Sequence, residues 1–152
     1  MSTDKHVTSD LMKTLENGRE GFAKAAGLVE QNSPQVAVSF RRLSQQRSSF
    51  YDELQKMAKD YGDPIEEDGT IAAAIHRGWM TIKDAVSGSD PVGALEAAVQ
   101  GEEHAVKEYE DALESPDLST GLRLVLVRQA ADIKKAEAEV KAIRDAHKAA
   151  AA

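Results

Sequence analysis

The side chains able to do chemistry in this chain are carboxylates, guanidinium groups and a few imidazoles. The sequence of 152 residues has 26 Asp and Glu, 4 His and no Cys. Thiolate metal sites, cysteine nucleophiles and disulfides are therefore excluded. A paired-metal site in a helical bundle takes a Glu from each of two helices and a Glu-x-x-His from each of two others. The residues three places before His6, His76, His104 and His147 are Thr3, Ala73, Gly101 and Arg144, so that spacing does not occur. His104 and Glu108 stand four apart with Glu103 alongside, which suits either a ligand set or a solvated charged face. On a helical wheel His104 lies off the apolar stripe, which favours the solvated face. His147 projects inward, but close to a helix end. There is no Gly-rich phosphate loop after a strand, no nucleophile elbow, no carboxylate motif for glycoside hydrolysis and no zinc signature.

Three polar residues fall near the centre of otherwise apolar stripes: Arg47, Glu102 and Gln129, each on a different long helix. An arginine there has a specific consequence. Its guanidinium is cationic at any relevant pH and has no lone pair for a metal, so at a bundle centre it repels an incoming cation. Glu102 is its natural partner, and Gln129 is expected to complete the remaining hydrogen bonds of a structural polar core. The other reading is that these side chains snorkel to the edge of the bundle. Gly18 occupies the corresponding stripe of the first helix and offers room rather than a ligand.

The elements that position these residues follow from punctuation and period. Ser33-Pro34 and Asp90-Pro91 each read as an N-cap followed by proline at the first helical position. Gly62-Asp63-Pro64, Asp68-Gly69, Ser87-Gly88-Ser89 and Ser115-Pro116-Asp117 mark breaks. They leave five helical segments at roughly 9–31, 34–60, 70–86, 91–114 and 118–148. Leu11, Leu15, Gly18, Phe22, Ala25 and Val29 recur at steps of three and four, and the other three long segments repeat the pattern. The expected fold is thus all-α, a four-helix bundle of two antiparallel hairpins. Residues 61–90 join them as a crossover carrying a short fifth helix with Ile71, Ile75, Trp79 and Ile82 on one side. This is the topology of ferritin-like bundles; a plain up-down-up-down bundle is the alternative. Similar spacing in the two hairpins, such as Glu16 to Phe22 and Glu103 to Tyr109, fits either duplication or chance in Ala- and Glu-rich helices.

Composition narrows the function classes. Residues 1–152 suit a single domain, with 1–8 and the terminal Ala-rich 149–152 expected to fray. The net charge of −7 and the absence of a basic stripe argue against nucleic acid as a partner. No apolar run approaches the roughly 18 residues of a membrane span, and the first twenty residues hold no apolar leader core, so no membrane association and a cytoplasmic location are expected. His76, Arg77 and Trp79 could form an interaction surface; alternatively Trp79 and the isoleucines cover the bundle while His76 and Arg77 face water. Tyr51, Trp79 and Met80, taken as exposed, could contribute to a dimer patch.

Asn17-Gly18 followed by Glu20-Gly21-Phe22 and Ala25-Ala26, then Gln46-Arg47-x-x-Phe50 and Glu53-Leu54, form one group of motifs. His76-Arg77-Gly78-Trp79-Met80 and Gly101-Glu102-Glu103 through Tyr109 form another. On these, roughly residues 8–147 resemble a bacterial family of ferritin-like four-helix-bundle proteins of unknown function. The resemblance implies a ferritin-like fold in a cytoplasmic bacterial protein linked to stress responses, with no activity or catalytic residues to carry over. Phe22 departs from the tyrosine that the family favours, which removes a hydroxyl from the core. The reading that follows is a non-catalytic bundle with no catalytic residue, metal or cofactor. It acts by self-association, as a homo-oligomer such as a homodimer, or by binding another protein. The alternative is a divergent di-metal carboxylate oxidase or iron-binding protein using Glu20, Glu53, Glu102, Glu103 and His104.

Overall fold

A computed structural model describes residues 2–59 and 91–151. Their regular structure is entirely helical, in four long helices: α1 (Ser2–Val29), α2 (Pro34–Ala58), α3 (Val92–Leu113) and α4 (Thr120–Ala151). No strand occurs among the described residues. The expected fifth helix over 70–86, with His76, Arg77 and Trp79, lies outside them.

The helix starts show their local causes. α2 opens on Ser33-Pro34 as expected, with proline at a position whose N–H would have had no helical partner. The Ser33 carbonyl accepts the Ala37 N–H at 3.1 Å. α3 begins one residue later than expected, because Pro91 takes the N-cap and its carbonyl accepts the Leu95 N–H at 3.0 Å. α1 begins at Ser2, ahead of the boundary expected near residue 9. Here the Asp4 carboxylate, 2 % exposed, accepts the Ser119 N–H at 3.0 Å, immediately before α4. A carboxylate at a helix N-terminus satisfies an orphan donor and complements the helix dipole.

The apolar stripes meet in two clusters. One joins Phe22, Ala25, Ala26 and Val29 of α1 to the first half of α2, the first half of α3 and the late α4 residues Ala136 and Val140. The other joins Leu11 and Leu15 to Phe50 and Leu54, to Tyr109, and to Leu122, Leu126 and Ile133 of early α4. Each large side chain removed from water in this way contributes about 1.5–3 kcal/mol.

This segregation fixes the chain directions. α1 and α4 run toward the first cluster, whereas α2 and α3 both start there. Cross-helix pairs agree: Arg42 with Glu139 and Arg128 with Glu53 make α2 and α4 antiparallel, and Lys134 with Glu110 and Lys141 with Glu103 do the same for α3 and α4. α2 therefore ends at one end of the bundle while α3 begins at the other. An up-down-up-down arrangement would instead have α3 start where α2 stops.

Candidate functional site

Arg47 of α2 and Glu102 of α3 lie between the two apolar clusters, each with a side chain 1 % exposed. The guanidinium Nη1 donates to Glu102 Oε1 at 2.7 Å and Nη2 to Oε2 at 2.6 Å, a two-pronged ion pair across the bundle diagonal. Arg47 Nε donates to Gln46 Oε1 at 3.2 Å. The guanidinium also lies over the Phe22 ring, 5.5 Å from its centroid. Space for the arginine stem comes from Gly18: a Cβ there would stand 3.2 Å from Arg47 Cγ and 3.3 Å from Nη1. Glycine in mid-helix costs about 1 kcal/mol relative to alanine, and here it clears the path of the largest fully buried side chain. Burial pushes the Glu102 carboxyl above the ordinary carboxylate range, reinforced by Glu137 and Glu139, while the charge and hydrogen bonds of Arg47 pull it down.

Gln129 is fully buried, as its position on the stripe requires, but it bonds to different partners from those expected. Tyr109 Oη donates to Gln129 Oε1 at 2.7 Å, and Gln129 Nε2 donates to Glu53 Oε1 at 2.8 Å and to the Phe50 carbonyl at 3.4 Å. Arg128 donates to the other Glu53 oxygen. The reason is axial. A wheel gives the angle of a residue about its helix but not its height. The Arg128–Glu53 pair sets Gln129 level with Glu53, which follows Arg47 by six positions on α2, roughly 9 Å at 1.5 Å per residue. The bundle thus contains two polar groups, the Arg47–Glu102 pair and the Tyr109–Gln129–Glu53–Arg128 chain.

Burial raises the Tyr109 phenol well above its ordinary range, so it stays a neutral donor. Burial opposes ionisation of Glu53, but the hydrogen bonds from Arg128 and Gln129 and the charge of Arg128 outweigh it and hold this carboxyl below its ordinary value. Glu53 borders an open groove between α2 and α4 with Ser49, Phe50, Asp52, Lys56 and Arg128.

The five residues of the di-metal alternative are not gathered. Glu102 is bonded to Arg47 and Glu53 to Arg128, while Glu20 is exposed beside Arg19. Glu103 faces Lys141 at 3.7 Å, and His104 faces Glu108 at 3.8 Å on the outer side of α3. Among the described residues, no three His, Asp or Glu side chains are grouped so as to hold a metal ion. His147 sits near the end of α4 with Nδ1 3.0 Å from the Ile143 carbonyl. Tyr51, expected at the surface, is 7 % exposed: it packs in the second cluster, with the Arg19 guanidinium 5.4 Å from its ring centroid.

The sequence reading missed the Tyr109–Gln129–Glu53 chain. Its signal was a phenol and an amide on facing stripes, each needing a partner once buried.

Among the described residues, no helix is long and apolar enough to cross a membrane. No curated protein matches the chain. A family described as Domain of unknown function (DUF2383) matches residues 6–115, which include Arg47 and Glu102 and stop short of α4, and the chain belongs to that family.

Proposed function

We propose that this protein is a non-catalytic ferritin-like bundle whose centre is occupied by an ion pair and whose activity lies in association, either with itself as a homodimer or with another protein. The observation that carries this reading is the Arg47–Glu102 pair. In ferritin-like carboxylate proteins the inward-facing Glu and His side chains meet around metal at the bundle centre. Here the centre holds a permanent cation, and the buried glutamate nearest to it is already neutralised.

The directions of the four helices support the ferritin-like assignment, since α2 and α3 start at the same end and one long connection must join opposite ends. A single domain in the bacterial cytoplasm with a role in stress responses is the biological setting of this proposal. His76, Arg77 and Trp79 are its candidate interaction surface.

Two measurements on one preparation test the reading: sedimentation velocity across a wide range of concentrations, and elemental analysis of protein purified without chelator. Concentration-dependent assembly with iron and manganese far below one per chain is expected. A persistent monomer would overturn the homodimer and leave association with another protein, and stoichiometric metal would overturn the ion-pair centre.

A further inference from the structure

Two of the three exposed large apolar side chains among the described residues, Val38 of α2 at 65 % and Leu124 of α4 at 67 %, border the seam between those two helices. The third, Val127, stands two turns before Lys134, on the side of α4 that faces α3. The seam itself is open: Ser49, Asp52, Glu53 and Lys56 of α2 and Arg128 of α4 line a groove together with the aromatic Phe50.

The register of the seam makes this face fit its own copy. Arg128 pairs with Glu53 and Glu139 with Arg42, and eleven residues separate the two sites on either helix, so heights match along the seam. On the same register Lys56 is level with Leu124, Ser49 with Asp132, and Val38 with the exposed Ala142. Each of these six stands three or four residues from a member of the two ion pairs, and so shares the seam face with it. A two-fold axis parallel to the helices keeps every height and exchanges the helices, laying α4 of each copy over α2 of the other. Val38 then meets Ala142, Asp132 meets the Ser49 hydroxyl, and Leu124 meets the alkyl stem of Lys56 beside the groove. Acid also falls opposite base at the two ion pairs, so no like charges are brought together there. A two-fold axis across the helices would stack α4 on α4 and lose these matches.

We infer that two copies of the chain meet through the α2–α4 face in this parallel arrangement. The inference rests on the self-association proposed above and names its surface and symmetry. α2 is 25 residues long, about 37 Å at 1.5 Å per residue, and a face two helices wide measures about 20 Å across. That offers roughly 700 Å² per copy, close to the roughly 800 Å² that a stable complex buries from each partner. Charge points to the same occupant. Asp52, Lys56, Asp132 and Lys135 on this face make no ion pair among the described residues, and they balance. In a chain of net charge −7, a balanced face is where two copies approach with least repulsion.

Because the chain has no cysteine, single cysteines report directly on the arrangement. A Val38→Cys variant and an Ala142→Cys variant are mixed, left to exchange and oxidised, and each is oxidised alone as control. Sedimentation velocity of the parent, Leu124→Lys and Val127→Lys accompanies this. All four substitutions are at exposed positions, and a melting curve for each confirms folding. A disulfide-linked dimer is expected in the mixture and in neither variant alone. Leu124→Lys, which sets a cation against Lys56 of the other copy, should weaken assembly about tenfold or more, with Val127→Lys unchanged. A linked dimer of Ala142→Cys alone, or assembly that Leu124→Lys leaves intact, would overturn the inference and leave self-association through another face. A parent that stays monomeric would overturn it together with the homodimer.

Discussion

Replacing Arg47 by alanine removes the only cation among the described residues that touches Glu102 and leaves, in an apolar surround, a carboxylate that is 1 % exposed in the parent. Breaking a buried pair from one side costs about 3–5 kcal/mol, because the surviving charge has neither water nor a partner. A domain of roughly this length loses about 2–4 °C of melting temperature per kcal/mol, so the variant should melt about 6–20 °C below the parent. Pairing this change with Glu102→Leu, as Arg47→Met/Glu102→Leu, removes both charges and restores apolar volume. Buried pairs replaced in this way are commonly neutral or stabilising, so the double variant should recover most of the loss. Thermal melts by circular dichroism and urea titrations with an unchanged slope measure both effects. A single variant within about 1 kcal/mol of the parent, or a double variant as damaged as the single one, would refute the reasoning, since either places the guanidinium outside the sealed core.

Gly18→Ala should destabilise the fold by about 1–2 kcal/mol, because the added methyl crowds an arginine clamped by Glu102, while Gly27→Ala, with nothing near its Cβ, should raise stability by up to about 1 kcal/mol. Urea midpoints of the two variants against the parent check the contrast. Tyr109→Phe leaves Gln129 Oε1 buried without its donor and should cost about 1–3 kcal/mol by the same assay. Glu53 has a lowered folded pKa, so its contribution to stability is present above the ordinary glutamate range and is lost as pH falls through the lowered value. The melting temperature of the parent should therefore approach that of Glu53→Gln as the pH is lowered through that window.

The four long helices were legible because their apolar residues recur at steps of three and four and their breaks fall at Ser-Pro, Asp-Pro and Gly-rich sites. Arg47 and Glu102 were legible for a related reason: a charged residue in the middle of an apolar stripe has to find its counter-charge on a facing stripe. Angular position alone was enough, because both sit midway along their helices. Gln129 shows the limit of angle without height. It belonged on the inward face, but its height depends on the register of α4 against α2, which the Arg128–Glu53 and Arg42–Glu139 pairs mark and which the sequence does not state. Tyr51 shows a second limit, since it lies off the main stripe and is sheltered by a guanidinium from the neighbouring helix. The helix directions became decidable only when the two apolar clusters showed which halves of the helices meet.

The most direct test of the central claim is a proton–nitrogen NMR spectrum of the protein with nitrogen-15 in its arginines, recorded before and after addition of one equivalent of manganese(II). The account predicts Arg47 guanidinium signals that are resolved, slow to exchange with water and unchanged by the paramagnetic ion, because Glu102 holds both Nη atoms inside the core. Signals averaged and exchanging like those of surface arginines, or erased by the metal, would contradict it.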